Sequence, residues 1–393
     1  MTFREQPGIA QIPERQAFFR DSVVNACVSV SLGTPDLQEL SITCPSGISI
    51  PVSTLKLFPN LRHANVQVGL VPGPILDPNA PFTILSNLSQ SESELSSIYE
   101  ALRSEPVPRL EHLEGLKLKW GIKTHAADVL STMRLDGIRQ LAVHTDRRLG
   151  QRFIFDMNQL TTQTSSNLTS IEILSYRQTI RCTTGGRLVE VFAPLLSRPQ
   201  LREVRIELQP YNFSLPAADV AELGRAWPLL EKLHVSFRLR SRDILPTLHH
   251  TLISLSESCV LLQYLHLPGI ATGIRLGPAP ITLPSYPESK LQHISSDYLQ
   301  CTHSAFDIAA ALYTSFPRIV QAGPRLQLQA SKWEPVNVFL QMMRHSSSLT
   351  AVQEAFSRLR LPGDRQISVS LYRMALYNGT LPNSTTYRHA LEY

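Results

Sequence analysis

Several of the features that mark secreted, membrane or catalytic proteins are scarce or missing in this 393-residue chain. Its five cysteines (Cys27, Cys44, Cys182, Cys259 and Cys301) lie far apart, and no Cys-x-x-Cys occurs. An odd, scattered set suits neither a disulfide framework nor a zinc site, and reads as buried free thiols of a reducing compartment. No apolar run reaches the roughly 18 residues of a membrane helix, and the opening MTFREQPGIAQIPERQ lacks the apolar core of an export signal. A cytoplasmic or nuclear protein without a membrane partner is expected, and the Asn-x-Ser/Thr triplets, as at Asn87 and Asn167, are discounted as glycosylation sites. Charge of one sign is also scarce: 37 Lys and Arg face 32 Asp and Glu. The densest basic stretches, Arg147-Arg148 and Arg238-Arg240-Arg242, are too short to coat a face, so no nucleic-acid partner is expected.

Chemical motifs are missing too. There is no phosphate-binding glycine loop, no G-x-S-x-G elbow and no H-E-x-x-H helix. Gly185-Gly186 lacks the lysine of a phosphate cradle and reads as a turn. His249-His250 are adjacent, and adjacent residues do not share the helical face that zinc ligands need. No catalytic residue, cofactor or metal is expected, and the chain reads as a non-enzyme.

What the chain does have is a returning phrase, apolar-x-x-apolar-x-apolar. Good copies begin at Leu37, Leu113, Ile138, Leu168, Leu201, Leu230 and Leu262, and weaker ones at Leu61, Leu291 and Ile319. From Leu113 onward the successive first positions differ by 25, 30, 33, 29, 32, 29 and 28 residues. Alternation inside the phrase marks a short strand with one buried face, and the period is that of a leucine-rich unit. Between phrases the period lengthens to a helical one. Leu245, Leu248, Leu252 and Leu255 form one such face, with a cap expected at Ser241 and Pro246 in the first turn. Others are Val220 with Leu223 and Trp227, Ile308 with Ala309 and Leu312, and Leu188 with Val191, Phe192 and Leu195. Prolines stand just ahead of the strand in Phe58-Pro59, Arg198-Pro199, Trp227-Pro228 and Phe316-Pro317, where they end the preceding helix.

The expected fold is therefore α/β: a leucine-rich-repeat solenoid of strand-turn-helix units of about 25–33 residues, with one parallel sheet on its concave face. Residues 1–36 form a lead-in, remnant or cap, and 37–330 the solenoid. Pro-rich surface insertions fall near 71–81 and 268–287, and a degenerate unit near Phe82 to Leu88. Residues 331–358 supply a capping helix around Val336, Phe339, Leu340 and Met343, and 359–393 a loosely ordered tail.

FPNLRHANV (58–66), LEHLEGLKLKW (110–120), LLSRPQLREVRIEL (195–208) and AELGRAWPLLEKLHV (221–235) together resemble the repeats of fungal F-box/LRR-type proteins. The resemblance covers about residues 37–345. It implies a substrate-recognition subunit of a cullin-based ubiquitin ligase, in which an F-box module docks on the ligase adaptor. The 36 residues ahead of the first phrase do not read as an F-box. Adaptor binding is thus expected only with an F-box restored, and a binding scaffold with no ligase link is the alternative. An enzyme of unfamiliar fold is the third reading.

In such a strand the residues between the apolar ones face the concave surface. Lys117, Glu172, Arg205, His234, Tyr264 and His266 are the candidate protein-binding residues. They form a mixed-charge strip suited to a protein or peptide.

Overall fold

The computed structural model describes residues 13–43, 49–67, 69–71, 112–120, 137–145, 166–175, 186–239, 244–273, 281, 283–323 and 332–345. The chain divides into two compact units, Met1–Ser214 and Leu215–Tyr393. The degenerate unit near Phe82, most of the insertion at 71–81, the tail 359–393, Cys44, Cys182 and Ser241 lie outside the described residues.

The first unit opens with helix α1 (Pro13–Gly33). The sequence reading expected only a lead-in there, because the segment has few leucines. Val23, Val24, Cys27 and Val28 nevertheless recur at helical spacing and are buried. The strands follow: β1 (Glu39–Thr43), β2 (Ser49–Pro51), β3 (His63–Gln67), β4 (Gly69–Val71), β5 (Gly115–Trp120), β6 (Gln140–Thr145), β7 (Ser170–Ser175) and β8 (Glu203–Asn212). A 3-10 helix spans Val52–Leu57, and two short helices, α2 (Leu188–Val191) and α3 (Ala193–Leu196), precede β8. The main sheet is wholly parallel and runs β1-β3-β5-β6-β7-β8, while β2 and β4 form a small parallel pair of their own. The small pair was not anticipated, and β4 takes up the start of the expected insertion at residue 71. The helix expected over Leu188–Leu195 is broken at Phe192, because Pro194 cannot supply the N–H that would continue the first turn.

The second unit contains α4 (Ala217–Ala226), β9 (Lys232–Arg238), α5 (Leu248–Ser258), β10 (Tyr264–Ala271), β11 (His293–Gln300), α6 (Ala305–Ser315), β12 (Gln321–Ala322) and α7 (Trp333–His345). Its sheet, β9-β10-β11-β12, is again parallel. Both units are thus α/β, with strands that pair in chain order.

Register is set at the start of each strand. One carbonyl oxygen accepts two successive N–H groups from the next strand: Glu114 O from Arg139 and Gln140, Arg139 O from Thr169 and Ser170, Thr169 O from Arg202 and Glu203. The same fork recurs in the second unit at Glu231, Gln263 and Gln292. It aligns the middle apolar residues of the phrase. Leu40, Ala64, Leu116, Leu141, Ile171 and Val204 pair in sequence, as do Leu233, Leu265 and Ile294, and all are buried.

The passage from helix to strand is equally regular. Trp227, Cys259 and Phe316 end their helices at φ −124, −120 and −129 with ψ 68, 70 and 84. Each then accepts a hydrogen bond from the residue three further on, at 3.1, 3.0 and 3.0 Å. Pro228 and Pro317 occupy the second position of that turn, which suits a fixed φ, and Val260 stands there in the third case. Helix α5 is capped by Thr247, whose hydroxyl accepts from His250 N at 3.3 Å, and not by Ser241; Pro246 precedes the cap. Cys259 donates its thiol to Gly224 O and Trp227 O, and burial pushes that thiol up to about 12. Cys301, by contrast, is exposed, because it follows β11 instead of sitting beneath a helix.

The insertion expected at 268–287 is partly structural. Pro268 to Ala271 continue β10 and are buried. Pro268 lies past the residues of β10 that pair with β9, so its missing N–H removes no bond to that neighbour. Tyr286 N donates to Ser315 O, and its ring stacks on Phe316 at 5.5 Å. At the far edge α7 covers β12. Asn337 Oδ1 accepts from Ala322 N at 3.3 Å and Gln341 Nε2 donates to Val320 O at 2.7 Å, so side chains occupy backbone groups that an open edge would leave exposed.

Two stability outcomes follow. Leu233→Asp should cost on the order of 3–5 kcal/mol, from lost apolar burial and a buried charge, measured by denaturant unfolding. Val260→Pro should raise stability by about 0.4–1 kcal/mol, because its turn already has the backbone geometry that accommodates Pro228 and Pro317. A lower melting temperature would show that the three turns are not equivalent.

Candidate functional site

Alternation carries every second side chain of a strand to the face opposite the apolar row, and parallel register places like positions side by side, about 4.8 Å apart. In the first unit this face centres on Glu172. Arg205 stands opposite it on β8 and donates from its guanidinium to Glu172 Oε2 at 3.1 Å, with two further bonds to Glu207 Oε1 at 2.7 and 2.8 Å. His144 reaches the other carboxylate oxygen, Oε1, from β6. Lys117 lies two strands away on β5, and its Nζ comes within 3.9 Å of Glu172 because the intervening residue is Ala142, whose methyl leaves the way open. The His144 hydrogen bond, followed by the charges of Arg205, His144 and Lys117, holds the Glu172 carboxyl below its ordinary value near 4.5, against an opposing effect of burial. The arrangement is an anchored carboxylate with two partly exposed cations, Lys117 at 41% and Arg205 at 48%.

In the second unit the same positions carry rings. Tyr264 stacks on His293 at 4.6 Å with planes 1° apart, and His234 on His266 at 4.2 Å and 13°. Stacking follows from register, since Tyr264 pairs with His293 and His234 with His266. Two of these rings, His266 and His293, also belong to a polar chain. Asp297 accepts at Oδ2 from Ser236 at 2.6 Å and lies 3.1 Å from His266 Nε2, while His266 Nδ1 lies 2.8 Å from Ser295 Oγ. A carboxylate can only accept, so in the neutral ring the proton belongs on His266 Nε2, and Nδ1 takes the Ser295 hydroxyl proton. His293 Nε2 then donates to Ser295 Oγ at 3.2 Å.

Serine, histidine and aspartate in hydrogen-bonded sequence resemble a nucleophilic triad in connectivity. Ser295, however, is 0% exposed, which leaves a substrate carbonyl no approach to its oxygen. The chain instead braces the rings. Among the described residues no group of His, Cys, Asp and Glu has the arrangement to hold a metal ion, and no helix is long and apolar enough to cross a membrane.

All six candidate residues lie on the face opposite the apolar row, but in different settings. Lys117, Glu172 and Arg205 come together in the first unit. In the second, His234 and Tyr264 are half-buried, whereas His266 is buried within the polar chain and is not the solvent-facing imidazole expected of the strip. His144, Glu207, Ser236 and Asp297 were missed. Each lies two residues beyond the middle of the phrase on the same face, so carrying the alternation one step further along each strand finds them.

Because the folded pKa of Glu172 is depressed, its contribution to stability is fully present above the unfolded value and is lost as pH falls through the folded value beneath it. Glu172→Gln should therefore melt below the wild type at neutral pH, with the difference shrinking as pH falls below about 4.5. Thermal melts across that range check this; a gap independent of pH would remove Glu172 as the hub.

No family model matches the chain, and no curated protein does.

Proposed function

We propose that the chain is a protein-interaction module of leucine-rich-repeat solenoid type, whose strand faces hold a protein or peptide partner. The observation that carries this reading is the shared register of the phrase. In each unit the apolar residues form one buried row and the intervening ones a polar face. A face made of anchored charges and braced rings suits recognition, because its side chains lose little freedom when a partner binds. The resemblance to fungal F-box/LRR-type repeats extends the proposal to substrate recognition in a cullin-based ubiquitin ligase. A repeat scaffold with no ligase link is the alternative.

Partner capture by proximity labelling, followed by affinity measurement, tests the binding role. Interface energy concentrates in a few aromatic and arginine residues, so Arg205→Ala and Tyr264→Ala should each weaken a captured partner by about 1–3 kcal/mol without lowering the melting temperature. Arg225→Ala, on the exposed side of α4, should not. Equal affinities for all three would remove the strand faces as the binding surface. Titration with the ligase adaptor separates ligase subunit from scaffold. Helix α1 packs against the 3-10 helix and β2, so residues 13–33 are engaged within their own unit, and submicromolar adaptor binding by this chain is not expected. Such binding would establish the ligase link.

A further inference from the structure

We propose that the strand face of the first unit takes an extended peptide segment bearing one basic and one acidic side chain about four residues apart, the basic one over Glu39 and the acidic one over Lys117. This rests on the reading of the strand faces as interaction surfaces and adds the chemistry of the occupant.

A groove of about 640 Å³ crosses β1, β3, β5, β6 and β7. Its lining includes the small residues Ser41, Ala142 and Ser170, beside which a chain can lie close to the sheet. Five strands at about 4.8 Å give it a length near 19 Å, which an extended segment of about six residues fills. Gly115 contributes by lacking a side chain: a Cβ there would stand 2.5 Å from His63 Nδ1, so its absence makes room for the His63 imidazole.

The polar groups along the groove are incompletely used. The Glu39 carboxylate is exposed and has no ion pair or hydrogen bond among the described residues. Lys117 Nζ is 3.9 Å from Glu172, an ion pair too long for a hydrogen bond, and the oxygens of Glu172 already take bonds from His144 and Arg205. The ammonium therefore keeps its donors for another carboxylate. On β3, between these two charges, Asn65 Nδ2 donates to Ser41 Oγ at 3.3 Å, while Asn65 Oδ1 is a buried acceptor with no hydrogen bond. An acceptor so placed takes an N–H from a chain crossing β3, and leaving it unmet would carry a desolvation cost. An acidic site on β1, a basic site on β5 and an acceptor between them are complementary to a basic side chain, a backbone N–H and an acidic side chain in a row. Glu39 and Lys117 lie two strands and two register positions apart, about 12 Å, close to the rise of four extended residues, and side chains four positions apart point to the same face.

The test is selection of a displayed random-peptide library on the purified full chain, with hits resynthesised as labelled peptides. Enriched peptides should carry a basic and an acidic residue four positions apart. A double variant, Glu39→Lys with Lys117→Glu, should bind them about tenfold less tightly or worse and regain affinity for peptides with the two charges exchanged. Both positions are solvent-accessible, and equal melting temperatures show that the fold is kept. Failure to enrich charge-paired peptides, or enriched peptides indifferent to the exchange, overturns the proposal. If such indifferent peptides lose affinity on Tyr264→Ala, the groove is wrong and the wider reading of the strand faces stands. If they ignore both changes, both readings fall.

Discussion

A carbonyl oxygen at the start of each strand, shared by two successive N–H groups of the next, is the contact on which the rest of the structure depends. A parallel pair has no hairpin to fix its register, and a slip of one residue would turn every apolar side chain out and every polar one in. The fork removes that freedom at the first residue of each strand. The turn ahead of it acts with it, since a helix that ends with the same φ and ψ in successive units delivers the chain to the fork at the same angle.

Register then decides what the polar face can be. Like positions fall one strand spacing apart, a distance at which aromatic and imidazole rings stack and at which a guanidinium meets a carboxylate. The second unit uses the first possibility and the first unit the second. Each has a single carboxylate as its organiser, Asp297 beside the rings and Glu172 among the cations, and in each the carboxylate accepts from two different strands. Such cross-strand bonds tie the face to the same register that builds the core, so side chains on it are held in place before any partner arrives.

Much of this was legible in the phrase itself. The strands from β5 to β11 begin two residues after the first apolar position, and the helical faces at Val220, Ile308 and Val336 became α4, α6 and α7. Where the reading fell short, the local signal was weak. Valine and cysteine build the buried stripe of α1 in place of leucine. Pro268 sits past the last residue of β10 that pairs with β9, so its missing N–H costs no bond on that side. The cap of α5 is Thr247, whose hydroxyl accepts from the His250 N–H, six residues past the expected Ser241.

By itself the sequence determined the period, the buried row and which side chains would share a face, because these follow from alternation within one strand and need no knowledge of its neighbours. Which of those side chains meet was decided by tertiary structure alone. Lys117 reaches Glu172 across a strand only because Ala142 lies between them, and His266 finds its hydrogen-bond partners only because Ser295 and Asp297 stand on the next strand. The residues concerned are 55 and about 30 positions apart in the chain. Nothing local brings them together; the forked carbonyls do, by setting one strand against the next.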